Sequence, residues 1–359
     1  MKGLIKRIVS RHHAALYGLT RWCSRTICPW YGRRPHLDLV FVVPSSQRGW
    51  ILEGIAKEIA AEFTGACAFH YATSGLPPAK AYFFVHYSAL VSAYRRNPSL
   101  WRRKVFVWYT HPREDLDIDP AELNFLFRQV DRIFCSCSQF VNRLVADGVS
   151  QGRVAYVPGG ADPDLFTSHS RGSGKVGFCT AYYERKSPST IIDIVRLMPA
   201  RQFILLGRRW ANFPRFDELT DLPNFEYIET DYANYPAFYA SLDVFVSVSM
   251  LEGGPIPLVE AMMSNVVPVA SHTGFAPDLI RQGQNGFVFA VDAPPQVICE
   301  FIEQAANLQD DVRATVEHCS WSIFAATIHH QMGFGPQVID HELAVLPRVV
   351  PSERRGSLD

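Results

Sequence analysis

Short apolar runs of strand length alternate along this chain with stretches in which apolar residues recur every three or four positions. The first run covers 37–43. A polar turn follows at 44–49, and 50–63 then carries Ile51, Ile55, Ile59 and Phe63 four apart, one face of a helix. Further strands are predicted at 66–71, 80–87, 103–110, 132–136 and 153–157. Helices are predicted over 120–130 and from a Ser138 cap to Asp147. A second series begins after 167–174, which reads Thr-Ser-His-Ser-Arg-Gly-Ser-Gly and has linker composition. Its strands are predicted at 176–181, 202–207, 224–228, 243–249, 266–270 and 285–290. Its helices are predicted at 187–197, 235–241, 276–281, 296–308 and from Asp311 onward. Strands alternating with helices on both sides of a linker predict an α/β protein of two doubly wound, Rossmann-like domains facing each other.

The segment with most chemistry is Leu251-Glu252-Gly253-Gly254-Pro255-Ile256-Pro257-Leu258-Val259-Glu260. It stands between the strand predicted at 243–249 and a helix beginning near Ala261. Strand, glycine-rich turn and helix start is the order in which α/β proteins offer backbone N–H groups to an anion. Glu252 and Glu260 bracket the turn. Carboxylates are badly placed to hold a phosphate and well placed to accept hydrogen bonds from hydroxyls of an attached sugar. The pattern therefore points to a nucleotide sugar. The turn at 44–49 opens a similar unit but lacks G-x-G-x-x-G, so it is not a dinucleotide fingerprint. Arg48, Gly49 and Trp50 are candidates for an acceptor-side surface there.

Composition narrows the class. A length of 359 residues suits two domains, and a hydrophobic fraction of 48% supports real cores. Zero formal net charge argues against a nucleic-acid partner. The charge is uneven, however: residues 1–36 hold Lys2, Lys6, Arg7, Arg11, Arg21, Arg25, Arg33 and Arg34 with no acid. Interleaved with apolar and aromatic residues, this basic extension is a candidate for peripheral contact with an anionic membrane, or for a helix packed on the body of the protein. The eight cysteines show no zinc-ligand spacing, and no apolar stretch reaches membrane-spanning length. A cytoplasmic protein is expected, with the inner face of the cytoplasmic membrane as a place it visits. Residues 345–359 have the composition of a disordered tail.

The second half resembles retaining glycosyltransferases of the GT-B fold, specifically glycosyltransferase family four. The resemblance rests on Glu252-Gly-Gly-Pro-Ile-Pro-Leu-Val-Glu260, then Val267-Pro-Val-Ala-Ser-His-Thr-Gly274, then the run from Asp278 to Phe289, in order and spacing over 235–290. It implies that Glu252 holds hydroxyls of the transferred sugar and that Glu260 binds the ribose. It further implies that Gly253, Gly254, Pro255 and Ile256 line the sugar–diphosphate region. The amino half is similar more loosely, through Val157-Pro-Gly-Gly-Ala-Asp-Pro-Asp-Leu-Phe166 and through His111, which follows a strand as the family's sugar-contacting histidine does. The implied domains are 37–166 on the acceptor side and 175–344 for the nucleotide sugar, with the last helix packing back on the first. One departure stands out. Lys186 matches the family's diphosphate lysine, but Ala181 stands at the position of its arginine. Arg185, or Arg208 or Arg209 after Gly207, are the candidates to replace it.

The chemistry implied is sugar transfer from a nucleotide-diphosphate sugar to a saccharide or lipid-linked saccharide in surface-polysaccharide synthesis, with retention. Lys186 and Arg185 would neutralise the leaving diphosphate, while Glu252 and His111 would orient the sugar. No cofactor and no metal are expected: Asp117-Ile-Asp119 has a clamp-like pattern but precedes a helix rather than following a core strand. Two alternatives remain at this level, a nucleotide-sugar 2-epimerase and a catalytically inert GT-B protein that binds sugar nucleotide or glycan.

Overall fold

A computed structural model describes residues 15, 17–22, 24, 35–113 and 116–335. The chain forms two compact units, one of residues 1–157 with 325–359, the other of 158–324.

In the first unit the order is β1 (Leu37–Val42), α1 (Ile51–Ala61), β2 (Cys67–His70), β3 (Ala79–Phe84), α2 (Leu90–Arg96), β4 (Lys104–Tyr109), α3 (Pro120–Phe127), β5 (Arg132–Cys135), α4 (Ser138–Ala146) and β6 (Val154–Tyr156). The strands make one sheet in the order β2-β1-β3-β4-β5-β6, each pair parallel. Parallel strands covered on both faces need near-continuous apolar sequence. Leu39 to Val43, Phe83 and Phe84 supply it and are fully buried.

The second unit runs β7 (Lys175–Cys179), α5 (Pro188–Leu197), β8 (Gln202–Leu206), α6 (Phe216–Thr220), β9 (Phe225–Ile228), α7 (Tyr235–Ala240), β10 (Val244–Ser247), α8 (Ile256–Met263), β11 (Val267–Ser271), α9 (Ala276–Leu279), β12 (Phe287–Phe289) and α10 (Pro295–Ala306). Its sheet has the order β12-β11-β10-β7-β8-β9, again parallel throughout. The order reverses between β10 and β8, on either side of β7, and the loops that follow β7 and β10 carry the residues of interest. A last helix, α11 (Trp321–Met332), begins in this unit and ends in the first. There His329 Nε2 lies 2.8 Å from the Ile59 carbonyl, and Arg132 donates to Gln331.

Several elements differ from the sequence reading. The strand expected at 80–87 stops at Phe84, because His86 accepts from the Ser88 N–H and starts a 3-10 turn at Tyr87–Ala89 that leads into α2. Ser138 is not a cap: Cys137 holds the cap position in extended conformation without a side-chain bond, and Ser138 is the first helical residue. The helix expected from Asp311 is a 3-10 turn at Arg313–Thr315 followed by α11. Arg313 donates there to the carbonyls of Phe166, Met263 and Pro163, so the segment follows its tertiary partners rather than helical periodicity. The expected linker is tied to the second unit, since the Asp243 carboxylate accepts from the N–H groups of Gly172, Ser173 and Gly174 and from the Ser173 hydroxyl.

Within the basic extension, residues 17–22 are helical. Tyr17 is buried and donates to Glu122, which also pairs with Arg95, while Leu19 and Trp22 are exposed. The described part thus packs on the first unit through Tyr17 and turns apolar side chains outward. The rest of the extension except residues 15, 24, 35 and 36, the tail at 345–359, and Glu114 and Asp115 lie outside the described residues. Among the described residues no helix is long and apolar enough to cross a membrane.

Candidate functional site

The loop after β10 reaches α8 through Leu251 to Pro255, and its centre is Glu252. This carboxylate is 6% exposed. Lys186 pairs with one oxygen, and Arg185 Nη1 lies 3.3 Å from the other. The Arg185 guanidinium also donates to the Leu251 carbonyl at 2.7 Å, and the Met250 N–H donates to the Arg185 carbonyl at 2.8 Å. The two loops are therefore stitched by backbone and side chain together. The 3-10 turn Glu184–Lys186 ends at Ser187, whose φ of 51° is left-handed, so the chain turns sharply into α5 directly after the two cations. From the other side the Glu252 N–H donates to Thr273 Oγ1 at 2.9 Å. Gly274 has φ 59°, and a Cβ there would stand 2.9 Å from that of Glu252. Only glycine lets the two loops meet this closely. Burial alone would raise a carboxyl, yet Lys186 and Arg185 hold Glu252 down at about 2. It is an anion across the whole physiological range.

Glu260 sits one turn into α8, 2% exposed, in a different environment. The Tyr232 hydroxyl donates to Oε1 at 2.7 Å and the Tyr239 hydroxyl to Oε2 at 2.9 Å. Burial pushes this carboxyl up to about 7, against the lowering effect of the two phenols. Tyr239 is itself fully buried, and the thiol of neighbouring Cys179 is driven up to about 12 by burial. Sequence reasoning missed both tyrosines. Their signal was the aromatic density of Tyr232-Ala-Asn-Tyr-Pro-Ala-Phe-Tyr239, of which it read only 235 onward, as helix.

The front of α8 offers fewer donors than a helix N-terminus usually does. Pro255 and Pro257 carry no N–H, and the Leu258 N–H donates to the Pro255 carbonyl at 2.8 Å. Of 255–258 this leaves Ile256, next to Gly253 and Gly254 in the turn. Side-chain cations gather at the same loops. Beside Arg185 and Lys186, the Tyr183 ring has the Arg185 guanidinium 5.5 Å and the Arg209 guanidinium 5.1 Å from its centre. Arg208 and Arg209 are exposed. Gly207, which precedes them, is needed for close approach: a Cβ there would stand 1.9 Å from the Thr180 carbonyl oxygen. Ala181 follows Thr180 and presents no cation. A cavity of about 40 Å³ is lined by Thr180, Lys186, Ser249, Glu252, Pro255 and Pro257 among others.

The remaining candidates belong to the first unit. His111 follows β4, and its carbonyl accepts from the Tyr87 hydroxyl at 2.9 Å. Gly49 donates its N–H to Glu53, Tyr71 donates to the same carboxylate at 2.7 Å, and Arg48 lies over the Tyr71 ring at 4.9 Å. The Gly49 bond, then the Tyr71 bond, hold Glu53 down at about 2. Glu53, which sequence reasoning passed over, is thus what shapes the turn carrying Arg48 and Gly49. Trp50 is 47% exposed, whereas Trp108 and Tyr109 are core residues. Asp119 caps α3 by accepting from the Ala121 N–H. Among the described residues no group of three or more His, Cys, Asp or Glu is placed to hold a metal ion.

Residues 181–317 match the family described as Glycosyl transferases group 1. The matched stretch lies wholly within the second unit, which is similar to that family there. No curated protein matches the chain by sequence. Among solved structures, HepE from Anabaena, crystallised with UDP and glucose, is 16% identical with a TM-score of 0.67, covering 83% of this chain and 100% of that one. The lipopolysaccharide outer core galactosyltransferase WaaB is 14% identical at a TM-score of 0.64, covering 83% and 99%. Sucrose-phosphate synthase from Thermosynechococcus elongatus is 14% identical at 0.63, covering 83% and 98%. At these identities the likeness is one of fold, and that fold is GT-B. The group 1 segment contains Glu252, Glu260, Arg185 and Lys186, so the whole cluster lies inside it.

Proposed function

We propose that this protein is a retaining, metal-independent glycosyltransferase that moves a sugar from a nucleotide-diphosphate donor to a saccharide or lipid-linked saccharide acceptor in surface-polysaccharide synthesis. The observation that carries the reading is the buried Glu252 carboxylate, braced by Lys186 and Arg185 at the β10–α8 turn, inside the group 1 segment. The neighbours HepE, crystallised with UDP and glucose, and WaaB, a galactosyltransferase, support the donor class.

The roles follow from charge. A carboxylate held at about 2 is a permanent acceptor of hydroxyl hydrogens and cannot serve as a proton donor near neutrality. Glu252 therefore orients the sugar. Lys186 and Arg185 stand beside it to meet the charge that develops on the leaving diphosphate. Arg185 takes the part for which Ala181 has no side chain, and these side-chain cations are what metal independence rests on. Glu260 receives the ribose hydroxyls. The acceptor hydroxyl attacks from the face the diphosphate leaves, its proton passing to the leaving phosphate, and no protein nucleophile is needed.

A thermal-shift and calorimetric panel of UDP-, GDP-, ADP- and dTDP-sugars tests this, with Glu260→Ala as control. One donor class should bind the wild type and lose affinity in the variant, and the product formed on lipid-linked acceptors should retain the anomeric configuration by NMR. Absence of binding across the panel would overturn the reading. Binding without turnover on any acceptor would favour a sugar-nucleotide-binding scaffold.

A further inference from the structure

Glu260 is held by two phenols that are not equivalent. Tyr239 is fully buried beside Cys179. Tyr232 is 46% exposed, in the short 3-10 turn Tyr232–Asn234 that precedes α7. Its ring contacts Tyr235 at 5.0 Å and the edge of Phe166 at 6.1 Å. With the Tyr232 hydroxyl 2.7 Å from Oε1, the glutamate is only 2% exposed. A hydroxyl arriving from solvent cannot approach Oε1 along that path while the phenol is there.

We propose that Tyr232 competes with a ribose diol for Glu260, its phenol mimicking the ligand hydroxyl and withdrawing when a ribonucleotide binds, so that it weakens nucleotides whose ribose reaches this carboxylate. This rests on the reading of Glu260 as the ribose-binding carboxylate. Tyr239 stays in place, orienting the carboxylate through Oε2. The exchange replaces one hydroxyl-to-carboxylate hydrogen bond by another, so its net gain is small unless the ligand supplies two hydroxyls. A ribose with both 2′- and 3′-hydroxyls does so, and a 2′-deoxyribose does not. Displacing the phenol costs the same for every ligand that reaches Oε1, so Tyr232 lowers affinity at this carboxylate, and a ligand that gains too little there leaves the phenol in place. The raised carboxyl fits this picture, because a group with no cation beside it holds its charge only through the hydroxyls it accepts.

The test is titration calorimetry of the full chain at pH 9, where Glu260 is ionised, with UDP, GDP and ADP and the 2′-deoxy form of each. Wild type, Tyr232→Phe and Glu260→Gln are compared. Removing one competing hydrogen bond should tighten the binding ribonucleotide about five-fold in Tyr232→Phe. The 2′-deoxy nucleotide, with one hydroxyl to offer, should gain no more than this, so that the ribo-to-deoxy preference holds or rises. Glu260→Gln should weaken the ribonucleotide and bring the preference close to one. If Tyr232→Phe weakens the ribonucleotide or leaves its affinity unchanged, or tightens the 2′-deoxy form more than the ribo form, while Glu260→Gln still abolishes the preference, the competition is overturned and the ribose reading stands. If Glu260→Gln keeps the preference, the ribose reading itself fails, and with it the competition. If no nucleotide binds, both fail.

Discussion

Glu252 and Glu260 leave the same turn, and both are more than nine-tenths buried. One is held at about 2 and the other is pushed up to about 7. The difference lies in their partners. Two cations more than offset the desolvation of Glu252, while two phenols reduce the desolvation of Glu260 without cancelling it. Burial is therefore common to the two groups, and charge state is decided by what the remaining hydrogen bonds come from. A carboxylate with cations keeps its charge at any relevant pH. A carboxyl with phenols is poised to change it near neutrality.

The comparison breaks most sharply at Lys186. Lys186→Met should leave Glu252 with only Arg185 and cost about 3 kcal/mol, the range for removing one partner of a buried ion pair, read from urea denaturation. Turnover should fall by about a hundred-fold or more. Wild-type stability should also drop as pH falls. Glu252 has a folded value below its unfolded one, so its contribution is full above about 4.5 and is lost on acidification toward 2. Lys186→Met should flatten that slope, and an unchanged acid limb would show that the pair does not set the charge.

Glu260 runs the other way. Between 4.5 and about 7 its folded state binds the proton more tightly than the unfolded chain, so stability should fall as pH rises through that window. Glu260→Gln should remove the slope and stabilise the fold on the order of 2 kcal/mol at pH 8, measured by urea denaturation at pH 5 and 8. It should simultaneously weaken ribonucleotide binding. Equal slopes in wild type and variant would show that Glu260 binds its proton no more tightly in the folded chain than in the unfolded one.

Arg185→Ala sharpens the contrast at the smallest scale. Arg185 is about one-third exposed, so solvent screens its pairing. Stability should change by less than about 1 kcal/mol, while turnover should drop roughly ten-fold if this guanidinium meets the diphosphate. A loss of stability as large as that of Lys186→Met would recast Arg185 as a structural residue.

What was legible in the sequence was local. Strand, turn and helix follow one another within 243–264, so the positions of Glu252 and Glu260 and the two parallel sheets could be read from periodicity and turn chemistry. Their charge states could not. Lys186 meets Glu252 across 66 positions, and Tyr232 and Tyr239 reach Glu260 from 28 and 21 positions away. The Gly-Ser composition of 172–174 predicts flexibility, because composition does not show that Asp243, some 70 positions on, accepts from each of those N–H groups. Lys186 itself was found by resemblance, and its pairing with Glu252 emerged only from the fold.

The prolines at 255 and 257 carry a further consequence. Backbone N–H groups come with their orientation already fixed, whereas lysine and arginine side chains lose rotamer entropy when they are recruited. With two N–H groups missing from the front of α8, the anion recognition proposed for this turn would lean on Arg185, Lys186 and the exposed guanidiniums of Arg208 and Arg209. Exposed charges act over a Debye length that shrinks as salt is added. The diphosphate affinity proposed for this turn should accordingly depend on ionic strength as much as on shape.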